Sequence, residues 1–430
     1  MKKLILPALL LLSLPATALA QNHSALTSLE SLNKAAQQKR QAIPNVPLAE
    51  DNAAFIQGAD LLESGRIPNY VRGLALLPNA AKPMAATFKA YLYGGAIAPE
   101  TKMAMGLRIA QVYGSAYTAI HLQRLLRATD RGQKLLAALG AGDLAPLNAP
   151  EQTALRYAEL LARDISLLTD AEFQKARAHY NDAQLVELTM TTAFMNYFLR
   201  WCEGANLPVE AWALEQPVAK VTPVKYEAPA ARVALVSNEM MTAAADTLAA
   251  AAAQEKNPNG LGIGIPNSQR AFMLVPGINR SWRAYTGSTR EYNSVSREIK
   301  LHVSFAISML NGCRYCTLHQ VQGLRRLGVA PAKLMAMAKD DSALTPRELA
   351  VVTYARKITT APARLTKDDY DALAREFQPQ GALEVLLQCG NFAYLNRFTD
   401  SLRLPSEDEA VKTYMETYGR TYAEVRPAKK

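Results

Sequence analysis

Apolar positions recur at three- and four-residue spacing along most of the chain, the period of a helix with one buried face. Residues 100–112 and 298–310 show this spacing without the strict alternation of a strand. Stretches 150–164 and 346–358 each begin with proline and carry an early glutamate, the chemistry of a first helical turn. Thr169 and Thr366 stand just before acidic residues and read as N-caps. No Asn-Gly turn is framed by alternating β-branched runs, so the pattern predicts an all-α fold. Residues 21–60 read as an N-terminal helical extension. Residues 223–264, Ala-rich and then Asn257-Pro258-Asn259-Gly260, read as a helical connector ending in a turn.

Sliding the chain against itself by 198 positions (69 onto 267) reveals a duplication. Ile67-Pro68-Asn69 falls on Ile265-Pro266-Asn267, Arg72 on Arg270, Pro78 on Pro276, Glu100 on Glu298 and Lys102 on Lys300. Gly114, Tyr117 and His121 fall on Gly312, Tyr315 and His319. With small gaps the match continues through Tyr157-Ala158 and Tyr354-Ala355. It pairs Asn196 and Phe198 with Asn396 and Phe398, and ends at Leu207-Pro208 and Leu404-Pro405. Shared helical composition does not place Pro, Asn, Gly and His in the same order over such a length. The expected domains are a first copy at 61–222 and a second at 265–430.

The first twenty residues do not fit this pattern. Lys2 and Lys3, an apolar run from Leu4 to Leu14 and an Ala18-Leu19-Ala20 end are the parts of a secretory signal peptide. The run is shorter than the ~20 residues that span a bilayer, which disfavours a membrane anchor. The reading is a bacterial signal cleaved near Ala20 and a mature protein in the periplasm. Apolar residues at 49% leave ample material for buried cores and exclude compositional disorder for most of the chain. The formal charge is +10, falling to +8 without Lys2 and Lys3. Its basic residues are dispersed, without the stripe a nucleic-acid surface needs.

Four cysteines, Cys202, Cys313, Cys316 and Cys389, are too few for a disulfide scaffold in so long a chain. Cys202 and Cys389 read as small buried residues, with a long-range bridge as the alternative. Cys313 and Cys316, in NGCRYCTLHQ, are the pair that carries chemistry. At i and i+3 on a helix they share one face. Asn311-Gly312 is a natural break, placing Cys313 in the first turn of a new helix, where unpaired N–H groups favour a thiolate. His319 lies on the same face and is a candidate proton carrier. Ser115 and Thr118 take the two sulfur positions in the first copy, which therefore has no redox chemistry there. His121 in that copy shows that the histidine also has a structural use. CxxC plus histidine could instead supply three zinc ligands, but no fourth is apparent. A purely structural disulfide would close too small a loop to stabilise much.

The run SREIKLHVSFAISMLNGCRYCTLHQ, with VQGLRRLGV and LTPRELAVVTYARKIT after it, resembles the alkylhydroperoxidase AhpD-like group of the carboxymuconolactone decarboxylase superfamily. The resemblance is specific over about 265–405 and extends weakly to 67–210. It implies an all-helical fold in which two tandem domains pack as an internal pseudo-dimer. It nominates Cys316 as the peroxide-attacking thiol and Cys313 as the resolving one, with His319 and Glu298 relaying protons. The family's usual histidine position holds Gln320 here, and its usual glutamate position holds Leu301. Glu298 stands fifteen residues before Cys313, ~22 Å away along a continuous helix. His302 is the secondary choice.

The function so implied is a periplasmic thiol-dependent peroxidase that removes hydroperoxides through a Cys313–Cys316 disulfide cycle. An external thiol or protein disulfide reductant would be its partner, because no flavin or nicotinamide fingerprint is present and no cofactor is expected. A homo-oligomer is compatible with the resemblance. The alternatives are a protein thiol–disulfide oxidoreductase, a carboxymuconolactone-decarboxylase-like enzyme, and a non-catalytic scaffold whose disulfide stays oxidised.

Overall fold

A computed structural model describes residues 25–63, 66–215, 266–339 and 341–419. The signal segment and the 223–264 connector lie outside the described residues. Seventeen α-helices and no strand occur among those described. The first copy contains α2 (Asn69–Arg72), α3 (Ala81–Tyr93), α4 (Pro99–Tyr113) and α5 (Ala116–Leu126). It continues with α6 (Asp130–Ala141), α7 (Ala149–Arg163), α8 (Asp170–Arg177) and α9 (Asp182–Gly204). The second copy repeats the order as α10 (Asn267–Phe272), α11 (Pro276–Arg290), α12 (Arg297–Asn311) and α13 (Arg314–Arg326). Next come α14 (Pro331–Lys339), α15 (Pro346–Thr360) and α16 (Lys367–Ser401), and α17 (Asp408–Tyr418) closes the chain. Before the first copy, α1 (Leu29–Lys39) is the one helical stretch among the described residues of the N-terminal extension. Residues 40–60, expected to be helical, are turns and irregular chain.

The expected caps form. Thr169 and Thr366 accept from the backbone N–H three residues on, and Asn148 with Glu151 and Thr345 with Glu348 close capping boxes. The break inside α16 at Gln378-Pro379 lies where the first copy separates α8 from α9. Proline supplies no N–H and displaces the preceding residue from helical backbone.

Two ion-pair locks recur at equivalent positions. Lys102 on α4 reaches Glu187 on α9 at 2.9 Å, and Glu187 also accepts from the N–H groups of Ala96 and Ile97. In the second copy Lys300 on α12 reaches Glu384 on α16 at 2.7 Å, and Ser294 and Val295 donate their N–H groups to it. Glu187 and Glu384 differ by 197 positions, as do Leu207 and Leu404, so the whole helix carries that offset. Asn196 therefore corresponds to Ala393, not to Asn396, which corrects that part of the sequence match.

The copies meet chiefly through α9 and α16, with α3 against α11. The contact is reciprocal. Arg200 donates to Thr359 O at 2.8 Å, and Arg397, its counterpart, donates to Ala162 O at 3.3 Å, Ala162 being the counterpart of Thr359. Such exchange of equivalent partners is what a two-fold axis produces. Around it, Tyr91, Phe194 and Tyr197 pack on Trp282, Tyr285 and Tyr394. The Tyr91 and Tyr394 hydroxyls lie 2.7 Å apart. Rings of this size bury roughly 200 Å² each, about 5 kcal/mol of gross transfer energy before entropy and as an upper bound. One apolar cluster runs through both copies. The helices approach closely because Gly390 has no side chain: a Cβ there would stand 2.7 Å from the Tyr197 ring.

Candidate functional site

The α12–α13 corner is built by Gly312. The chain must turn sharply between two helices, and Gly312 takes φ 73°, a left-handed value that other residues adopt at a cost. Cys313 follows as the N-cap of α13, and its Sγ accepts from Cys316 N–H at 3.4 Å. Sulfur thus fills the place an N-cap hydroxyl normally takes. All four described cysteines are unbridged and buried, Cys313 at 0% and Cys316 at 4% exposure. Thr399 Oγ1, on α16, lies 3.3 Å from each sulfur of the pair.

These surroundings separate the two thiols. Burial pushes both up. At Cys316, hydrogen bonding to Cys313, Thr399 and Asn396, with the His319 charge nearby, outweighs burial and holds the thiol below its ordinary value. At Cys313 burial dominates, Cys316 and Asp400 add to it, and the thiol is pushed well up. Cys316 is therefore the sulfur poised to carry the charge, and Cys313 the one poised to keep its proton.

His319 does not point its nitrogens at the sulfurs. Nδ1 bonds to Tyr315 O at 2.6 Å, and Nε2 lies 2.6 Å from Glu407 Oε2 in an ion-pair contact whose angles fall outside hydrogen-bond geometry. Glu407 Oε1 also accepts from Asn267 N at 2.7 Å and from Tyr315 OH at 3.0 Å. Burial would raise its carboxyl, but His319 and the backbone donors override that and hold it at about 2. The first copy has the same lock. His121 Nε2 is 2.9 Å from Glu210 Oε2, Tyr117 OH donates at 2.8 Å, and Asn69 N donates to the same carboxylate. The lock fastens each copy's first turn to its last loop whether or not sulfur is present.

Where the sulfurs would stand in the first copy, Ser115 Oγ donates to Glu203 Oε1 at 2.7 Å and lies 2.9 Å from Thr118 Oγ1. Lys39 of α1 covers this place and pairs with Glu203 at 2.9 Å. Hydroxyls and an ion pair have replaced the thiols.

Glu298 is not brought to the cysteines. It sits in the first turn of α12, whose last residue lies ~20 Å further along the axis. Its neighbours are His302 at 3.4 Å and Lys333 at 4.0 Å. The composition of α12 shows why. A buried face running from Ile299 through Val303 and Ile307 keeps it one continuous helix, so its first turn cannot fold back. Sequence reasoning missed Thr399 and Glu407. The shared Leu-Pro-x-Glu of 207–210 and 404–407 was a signal for the glutamate. Thr399, opposite Cys202 in the repeat, carried no such signal.

Residues 276–357, spanning the pair and its flanking helices, match the model of the carboxymuconolactone decarboxylase family. The match falls wholly within the second repeat. Two solved structures of the debrominase Bmp8 are similar to part of the chain. A cysteine-to-alanine variant in complex with 2,3,4-tribromopyrrole is 22% identical, covering 43% of this chain and 98% of that one with a TM-score of 0.37. The apo form is 23% identical, covering 35% and 83% with a TM-score of 0.32. No curated protein sequence matches. No described helix of the chain is long and apolar enough to cross a membrane.

Proposed function

We propose that the chain is a periplasmic thiol-dependent peroxidase working through Cys313 and Cys316. The observation that carries the reading is the geometry of the pair: two unbridged thiols at the start of α13, Thr399 Oγ1 3.3 Å from each, with Cys316 retaining slight exposure and Cys313 fully buried. The Cys316 thiolate attacks the distal oxygen of a hydroperoxide, the O–O bond breaks, and the alkoxide leaves with a proton as alcohol. Cys316 is then a sulfenic acid. The Cys313 thiol displaces its hydroxyl as water and the disulfide forms. An external dithiol returns two electrons and two protons. Thr399 sits beside both sulfurs and steadies the charge as it moves between them. The signal-like first twenty residues support an extracytoplasmic setting.

Burial of both sulfurs argues against a folded protein disulfide as substrate and favours a reactant as small as a peroxide. The test is consumption of tert-butyl hydroperoxide by the reduced protein with excess dithiol. Cys316→Ser is expected to abolish turnover. Cys313→Ser is expected to allow one equivalent and leave a trappable sulfenic acid at Cys316. Undiminished turnover in Cys316→Ser would overturn the proposal.

A further inference from the structure

A second cluster stands at the opposite end of α12 from the cysteines. Glu298 and His302 are one helical turn apart, and Glu348, at the start of α15, faces them. The ligand atoms of the three residues all lie within 4.8 Å of one another. His302 Nε2 is 3.4 Å from Glu298 Oε1 and 3.4 Å from Glu348 Oε1. That is long for a hydrogen bond. It matches the edge of a tetrahedron around an ion with bonds of about 2.05 Å, where ligand atoms stand about 3.3 Å apart.

The parts are held in place. His302 is fully buried, and Glu348 has its other oxygen fixed by Thr345 N at 2.9 Å and Thr345 Oγ1 at 3.0 Å. The capping box that starts α15 therefore also aims Glu348 Oε1 at the histidine. Lys333 supplies a positive charge at this point, 2.6 Å from Glu348 Oε1 and 4.0 Å from Glu298 Oε1. Its side chain is partly exposed and can swing outward. In the first copy Glu100 and Glu151 stand at the two carboxylate positions, but Ala104 replaces the histidine. There Arg131 takes Glu151 at 2.8 Å.

We propose that Glu298, His302 and Glu348 form a site for a divalent transition cation of the zinc type, which enters by displacing the Lys333 ammonium. Imidazole and two carboxylates are a donor set for zinc, with a fourth position left for water. His302 Nδ1 has no hydrogen-bond partner, so the site lacks the buttress that strengthens the tightest zinc sites.

The thiols are themselves metal ligands, so the test uses the full chain carrying Cys313→Ser and Cys316→Ser, freed of metal by chelation. Zinc chloride is titrated calorimetrically, and cobalt(II) chloride is followed by visible absorption. One ion per chain with the intense absorption of tetrahedral cobalt is expected. Glu298→Gln and His302→Ala should each weaken binding at least tenfold. Lys333→Ala should tighten it severalfold, which a purely structural ion network would not do. Glu298 is only partly buried, its side chain 41% exposed, so its variant remains decisive even where His302→Ala fails to fold. Absence of binding at millimolar zinc, unchanged affinity in Glu298→Gln, or weaker binding in Lys333→Ala would each overturn the proposal. Peroxide turnover does not enter the measurement, so its outcome is independent of the function proposed above.

Discussion

Replacing Thr399 with valine removes one hydroxyl and almost nothing else. The two side chains have the same shape, and Thr399 is buried. Its single proton is shared between Leu395 O, 2.9 Å away, and the two sulfurs at 3.3 Å. When Cys316 ionises, that proton can turn toward the thiolate. A hydrogen bond to a charged group is worth about 1.5–3 kcal/mol. Competition from Leu395 O, and the other donors to Cys316, place the loss near the lower end, about 1.5 kcal/mol. That is roughly a tenfold fall in the thiolate fraction at neutral pH. The assay is the rate of peroxide consumption, and separately of alkylation by a small haloacetamide, from pH 6 to pH 10. The expected result is a rate about tenfold lower at pH 7 that recovers as rising pH forms the thiolate without help. An equal loss at every pH would mean that Thr399 acts on geometry instead, and no loss would refute the role altogether.

Glu407 carries the pH dependence of the lock. Its carboxyl is held at about 2, below the ordinary 4.5, so its contribution is present above the ordinary value and is lost as pH falls from about 4.5 toward 2. Discounted for partial exposure, about 1–2 kcal/mol of stability should go in that window, and acid titration of Glu407→Gln should lack it. Glu187→Gln leaves the Lys102 ammonium buried at 0% exposure and should cost about 3–5 kcal/mol in denaturant unfolding. Glu384→Gln should cost less, because Lys300 retains 22% exposure and can reach water. Gly390→Ala forces a methyl against the Tyr197 ring, which cannot yield as a flexible chain end would. A loss of about 1–3 kcal/mol is expected in the same experiment.

Local chemistry was legible in the sequence. Helical period, proline at first turns, threonine caps and the Asn-Gly break each depend on a few neighbouring residues, and each appears where the pattern puts it. The duplication was legible because two copies solve the same packing problem with the same Pro, Gly and His. The support around the sulfurs was less so. Thr399 lies 83 residues beyond Cys316 and reaches it only because α16 packs across α13. His319 shares α13 with Cys316, but helix geometry cannot say that Glu407, arriving from a distant loop, takes up its Nε2. Glu298 was nominated from the resemblance, and the uninterrupted α12 carries it toward His302 instead.

The reciprocal arginines and the apolar cluster running through both copies bear on how the chain comes apart. Neither half has a surface that water can accept once the other is removed, since α9 and α16 are each other's covering. Heating or denaturant should meet one cooperative transition instead of two, with the half that lacks the cysteine pair melting along with the other. The copy without the cysteine pair is thus the wall against which the other folds. Damage to that wall should appear as lost peroxide turnover although it touches no reacting atom.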